Sequence, residues 1–147
     1  MIEVEKLDKF PLLSELDGEQ RRALAELLSV SDHEEGCAVF RSGDEADALL
    51  LLESGGIRIE TGGERVGELE PGDVLGACAL LSIGRRECDA LALHGTRLLS
   101  LSREGYLRLR ADSPSAALAL QEAIGRVFSA HVRNALGEYR ASDDATG

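Results

Sequence analysis

From Cys37 to Leu101 short apolar runs alternate with glycine-bearing turns, and that alternation limits what this chain can fold into more than any other feature. Cys37-Ala38-Val39-Phe40 leads into Arg41-Ser42-Gly43-Asp44, and Leu49 to Leu52 into Glu53-Ser54-Gly55-Gly56. Ile57-Arg58-Ile59-Glu60 then reaches Gly62-Gly63, and Val66-Gly67-Glu68-Leu69 reaches Pro71-Gly72-Asp73. Segments this short, near-regularly spaced and closed by turn residues, build antiparallel barrels or jelly rolls. Glycine at such turns supplies positive φ without a steric cost. Cys88 to Leu93 and Thr96 to Leu101 read as a closing pair of strands around His94-Gly95.

Helical spacing flanks this region on both sides. Asp17 is placed to cap a helix, Gln20 completes the capping box three residues on, and Ala23, Leu24, Leu27 and Leu28 form one apolar stripe. Ser102 is placed to cap a second helix, and Asp112-Ser113-Pro114 restarts it with proline in the first turn, where the missing N–H costs little. From about Ser115 to Tyr139 the stripe through Leu120, Ile124, Val127, Phe128, Val132 and Leu136 is broad enough to pack on the β region and to meet another helix. The fold class is therefore α+β, mainly β: an antiparallel β-roll or jelly roll with an N-terminal helix and a long C-terminal helix. One domain is expected over residues 1–140, with a lead-in helix at 17–29, the β-roll at 32–101 and C-terminal helices at 103–139, followed by a flexible tail at 141–147. With 147 residues, 44% of them apolar and no tryptophan, the domain has an aliphatic core that needs no staples.

No apolar run approaches the roughly 18 residues of a membrane span, and the N-terminus lacks the pattern of a secretory signal, so a cytoplasmic protein without membrane insertion is expected. The 16 basic and 27 acidic residues give a formal charge of −11, which opposes broad contact with a phosphate backbone and argues against DNA or RNA as a partner. Only a short stretch follows Tyr139, too little for a helix-turn-helix unit there. Arginines 85, 86, 97, 103, 108 and 110 reverse the sign locally, against Glu87, Asp89 and Glu104, and most of them read as solvating an outer face.

Leading into that basic segment, Gly72 to Ala90 has the composition of an anion site. Two glycines precede a short apolar run, Ala77 to Leu81, and Arg85-Arg86 follows, so backbone N–H groups and one guanidinium can converge on a negative group. The series Pro71-Gly72-Asp73, Leu75-Gly76, Cys78-Ala79-Leu80-Leu81 and then Arg86 resembles the phosphate-binding cassette of cyclic-nucleotide-binding domains. Gly36, Phe40 with Gly43-Asp44, and the Glu53-Ser54-Gly55 turn fall on further landmarks of that family, and the resemblance extends over about residues 7 to 137.

The resemblance implies a regulatory small-molecule sensor rather than an enzyme, with cyclic AMP, cyclic GMP or another small anion as ligand and no other cofactor. It implies a site made of Leu75, Gly76, Ala77, Cys78, Ala79, Leu80, Arg86, Glu87 and Cys88, with Arg86 as the phosphate-binding arginine. Ala77 stands where the family has a glutamate for the ribose hydroxyl, and Glu87-Cys88 where it has two small residues. The missing charge-assisted hydrogen bond is worth roughly 1.5–3 kcal/mol, about 10- to 150-fold in affinity. Nucleotide affinity is accordingly expected to be weakened or altered. The last helix implies a lid, a homodimer or a partner-protein contact. Two readings stay open: a ligand-responsive module, and a degenerate interaction or dimerisation module with an empty pocket.

A metalloenzyme of cupin type would need clustered histidines, and His33, His94 and His131 are scattered. Cys37, Cys78 and Cys88 lack the close spacing of a zinc or iron–sulfur site and read as small buried apolar residues. No nucleophile elbow, phosphate loop or His-Glu-x-x-His sequence occurs.

Overall fold

The computed structural model describes residues 2–76 and 84–127. Two short 3-10 helices, Val4–Lys9 and Pro11–Leu13, lead into α1, Gly18–Ala25. The capping box forms as read: the Gln20 N–H donates to Asp17 Oδ1 at 2.8 Å, and the Asp17 N–H donates to Gln20 Oε1 at 2.9 Å. The helix is shorter than the expected 17–29. Ser29–His33 is already strand β1, whose register Ser29↔Ser100 to His33↔Thr96 commits those backbone groups to β10, Thr96–Ser102. The roll thus starts before residue 32, and His33 closes its first strand.

The remaining strands are β2 (Ala38–Phe40), β3 (Glu45–Ala46), β4 (Ala48–Ser54), β5 (Ile57–Thr61), β6 (Glu64–Leu69), β7 (Val74–Leu75), β8 (Gly84–Arg85) and β9 (Asp89–Ala92). They form two four-stranded antiparallel sheets, in the orders β1-β10-β4-β7 and β2-β9-β5-β6, and a β3-β8 ribbon. The two strands expected as a closing pair do not pair with each other. β9 pairs with β2 and β5, whereas β10 pairs with β1 and β4, so the bend at His94-Gly95 carries the chain from one sheet to the other.

Side-chain alternation in β4 and β10 explains the run of leucines. Leu52 and Leu98 face the space between the sheets with Ile57 and Ala90, while Leu49, Leu51, Leu99 and Leu101 face the helices. A strand buried on both faces reads as continuously apolar. The helical layer comprises the N-terminal segment, α1, α2 (Arg103–Asp112) and α3 (114–127), with Leu109, Leu120 and Ile124 in its core. Ser102 Oγ caps α2, accepting from the Gly105 N–H at 2.9 Å, and the helix restarts at Pro114 after Ser113. The expected helix continues into residues 128–139, and the expected tail at 141–147 follows; both lie outside the described residues.

Two contacts lock the layers together. Lys6 Nζ pairs with the buried carboxylate of Glu53 at 2.9 Å, and Lys9 Nζ donates to the Glu53 carbonyl at 2.7 Å, fixing the N-terminal segment to the end of β4. At the turn after Glu53, Gly55 has φ +91°, and a Cβ there would lie 2.5 Å from the Gly95 carbonyl oxygen, so only glycine fits.

Candidate functional site

Arg86 follows the two-residue strand β8, and its backbone is clamped to the turn before β3. Its N–H donates to the Asp44 carbonyl at 2.7 Å, its carbonyl accepts from the Gly43 N–H at 2.8 Å, and Arg85 Nη1 donates to the Gly43 carbonyl at 2.8 Å. The half-buried side chain reaches back across the roll. Nη2 donates to the Ala48 carbonyl at 3.0 Å, the guanidinium carbon lies 4.5 Å from the centroid of the Phe40 ring, and the buried Nε–H has no hydrogen-bond partner among the described residues.

Gly76 completes the cradle. It follows β7, which pairs with β4 through Leu50↔Leu75 and Leu51↔Val74, and it has φ +72°. A Cβ on Gly76 would land on the Arg86 guanidinium and 3.0 Å from the Ala48 carbonyl oxygen. The position therefore demands glycine twice over, for its conformation and for its space.

Burial pushes the Arg86 pKa down, and the charges of Asp47, Cys88 and Asp44 oppose that shift. The guanidinium nevertheless stays protonated, because its unperturbed value is so high. It is a fixed cation at the edge of a cavity of about 280 Å³ inside the roll. Phe40, Leu50 and Leu98 line that cavity, and Ser31 and His33 form a polar wall, with Ser31 Oγ and His33 Nε2 3.0 Å apart. Asp44, Glu45 and Asp47 line it as well, so the cation sits among carboxylates. A delocalised cation fixed at a cavity edge suits an oxyanion, and the acidic residues beside it limit how much negative charge the site tolerates.

Of the residues expected to form the site, Gly76 and Arg86 meet as the spacing suggested. Leu75 is half-buried and packs on the inter-sheet core beside them. Glu87 is exposed next to Arg86, and Cys88 is half-buried, with burial foremost and then Asp89 and Glu87 raising its thiol pKa against the lowering effect of Arg86. Ala77, Cys78, Ala79 and Leu80 lie outside the described residues. Cys37 is exposed rather than buried, since it sits in the turn entering β2 and not on the inner face of the strand. Of the arginines expected to solvate an outer face, Arg97 pairs with Asp32 and Arg108 with Asp112 at the surface.

Sequence reasoning placed Phe40 only as a hairpin landmark and missed Ala48, Asp47, Ser31 and His33 altogether. Ala48 contributes a backbone carbonyl, which carries no side-chain signature. The alternation of Ser31 and His33 about Asp32 was the available signal for β1, and the acidic flank of His33 obscured it. Among the described residues no group of three or more His, Cys, Asp or Glu is arranged to hold a metal ion, and no helix is long and apolar enough to cross a membrane.

The chain is similar to known proteins in sequence and fold. The profile of the cyclic nucleotide-binding domain matches residues 31–113. A cAMP-dependent protein kinase regulatory subunit from Yarrowia lipolytica is 34% identical over 105 residues, covering 70% of this chain and 28% of the relative. A cyclic AMP receptor protein from Thermus thermophilus is 36% identical over 97 residues, covering 63% of this chain and 45% of the relative. The crystal structure of the Thermus thermophilus catabolite activator protein superposes with a TM-score of 0.78 at 29% identity, over 90% of this chain and 63% of that one. The N-terminal domain of a transcriptional regulator from Streptomyces coelicolor A3(2) has the same TM-score, 0.78, at 24% identity, over 86% of this chain and 94% of that one, a likeness of fold. This chain spans less than half the length of these two curated relatives. With the profile covering more than half of its residues, the chain belongs to the cyclic nucleotide-binding domain family.

Proposed function

We propose that this chain is a regulatory cyclic-nucleotide sensor, not an enzyme, whose ligand phosphate is held by Arg86 and whose nucleotide affinity is weakened or altered. The observation that carries the reading is the Arg86 side chain: half-buried, lining the cavity, and fixed by Ala48 and Phe40 against Gly76. That guanidinium is a permanent cation held in place, which suits recognition of an oxyanion. The relatives named as a cAMP-dependent kinase regulatory subunit and a cyclic AMP receptor support cyclic AMP as the first ligand to try.

Two sequence features support the weakened or altered affinity. Ala77 offers no carboxylate for a ribose hydroxyl, and Glu87 adds an exposed negative charge beside the arginine. The carboxylates lining the cavity favour a second reading, an interaction or dimerisation module that binds no nucleotide. Titration calorimetry with cyclic AMP and cyclic GMP separates the two. Micromolar binding that disappears in Arg86→Ala supports the sensor. No binding by the native chain, with binding gained in Ala77→Glu, supports the module that has abandoned its ligand.

A further inference from the structure

We propose that Phe40 is a positioning residue for the anion site, holding the Arg86 guanidinium by its ring face in one orientation at the edge of the cavity. This rests on the sensor reading given above. The backbone of Arg86 is fixed by Gly43 and Asp44, but the side chain beyond it must cross to Ala48, and one hydrogen bond cannot set the orientation of a planar group. The ring of Phe40 supplies the second constraint, with the guanidinium carbon 4.5 Å from its centroid. A cation over a ring face is attracted by the quadrupole, and more strongly where water is excluded. Hydrogen bonding to Ala48, ring contact with Phe40 and the closeness of Gly76 together leave the guanidinium little freedom.

Phe40 is itself held. It ends β2, is paired with Ala90 of β9, and packs on the inter-sheet core with Ile57 and Leu98. An aliphatic residue at this place would fill the core and leave the guanidinium without a surface to lie on. A side chain free to rotate loses part of its binding strength, because the ligand must then order it.

The test begins with the native chain. In its spectrum the Arg86 Nε–H proton is expected at an upfield, ring-shifted position that disappears in Phe40→Leu; a native resonance at the ordinary arginine position overturns the proposal without any variant. Phe40→Leu is expected to weaken cyclic AMP binding by roughly five- to thirtyfold, the range for losing a partly desolvated cation–ring contact. Phe40→Tyr, which keeps the ring face, is expected to restore both affinity and the shifted resonance, an outcome that simple core filling by leucine does not give. Unchanged or tighter binding in Phe40→Leu overturns the positioning role while leaving the sensor reading intact. Failure of the native chain to bind cyclic AMP or cyclic GMP overturns both.

Discussion

Replacing Gly76 by alanine tests the cradle at its tightest point. Two costs add. The residue has φ +72°, where an L-residue is disfavoured by roughly 1–2 kcal/mol. The new Cβ also meets the Arg86 guanidinium and lies 3.0 Å from the Ala48 carbonyl oxygen. The guanidinium is the far end of a flexible side chain and moves first, giving up its bond to Ala48 and its place over Phe40. Part of that loss returns as hydration, because Arg86 is only half-buried, so a stability loss of about 1–3 kcal/mol is expected. For a domain of this size each kcal/mol lowers the thermal midpoint by roughly 2–4 °C. Circular dichroism melting measures that loss. Calorimetry is expected to show cyclic AMP affinity down by about 10- to 150-fold, the value of a charge-assisted hydrogen bond. The double variant with Arg86→Ala separates the causes: the backbone cost persists in it, whereas the affinity loss does not add, because the group Gly76 makes room for has gone. Gly76→Ala with melting and affinity both unchanged refutes the cradle.

Other sites give independent checks. Thr96 Oγ1 accepts from the buried Gly56 N–H at 3.3 Å and lies 3.0 Å from the Gly56 carbonyl and 2.7 Å from that of His94. Thr96→Val leaves those groups without their partner and is expected to cost about 1–3 kcal/mol in denaturant unfolding, with cyclic AMP affinity unaffected. At the surface, the hydrogen bond from Arg97 holds the Asp32 pKa below its ordinary value of 3.8 against the opposing effect of desolvation, with the charges of Arg97 and His33 adding to the lowering. A group depressed in this way adds stability above its unfolded pKa and loses it as the pH falls through its folded pKa, so the contribution disappears only below about pH 4. A carbon-13 titration of the Asp32 carboxyl is expected to move upward toward 3.8 in Arg97→Ala.

Where the sequence was legible, the reason was local. The capping box at Asp17 and Gln20, the Ser102 cap and the restart at Pro114 each depend on residues three or fewer positions apart, and each forms. The glycine turns marked most strand boundaries for the same reason. Pairing between strands was not legible, because it is decided by residues far apart in the chain. Nothing in Cys88 to Leu101 says that its two strands go to different sheets, and nothing in Leu27-Leu28-Ser29 says that β10 recruits Ser29 before the helical pattern has finished. The site divides along the same line. Gly76 and Arg86 were singled out by their resemblance to the family cassette, whereas the Ala48 carbonyl and the face of Phe40 reach Arg86 only after the roll closes.

The overall charge bears on what such a site can select. At −11 the chain repels anions at a distance, but at physiological salt that field is screened within about 8 Å. In the proposed sensor, recognition therefore acts at contact range, through the Arg86 guanidinium. Asp44, Glu45 and Asp47 line the same cavity, and each added negative charge on a ligand meets them as well as Arg86. One cation among several carboxylates favours a diffuse monoanion, such as a cyclic phosphodiester, over a phosphomonoester that carries nearly two charges near neutral pH. The acidity of the chain and the retention of Arg86 are then not in conflict. In the proposed sensor the carboxylates set a limit on ligand charge, and the arginine, held by Phe40 and Ala48 beside Gly76, supplies the attraction within that limit.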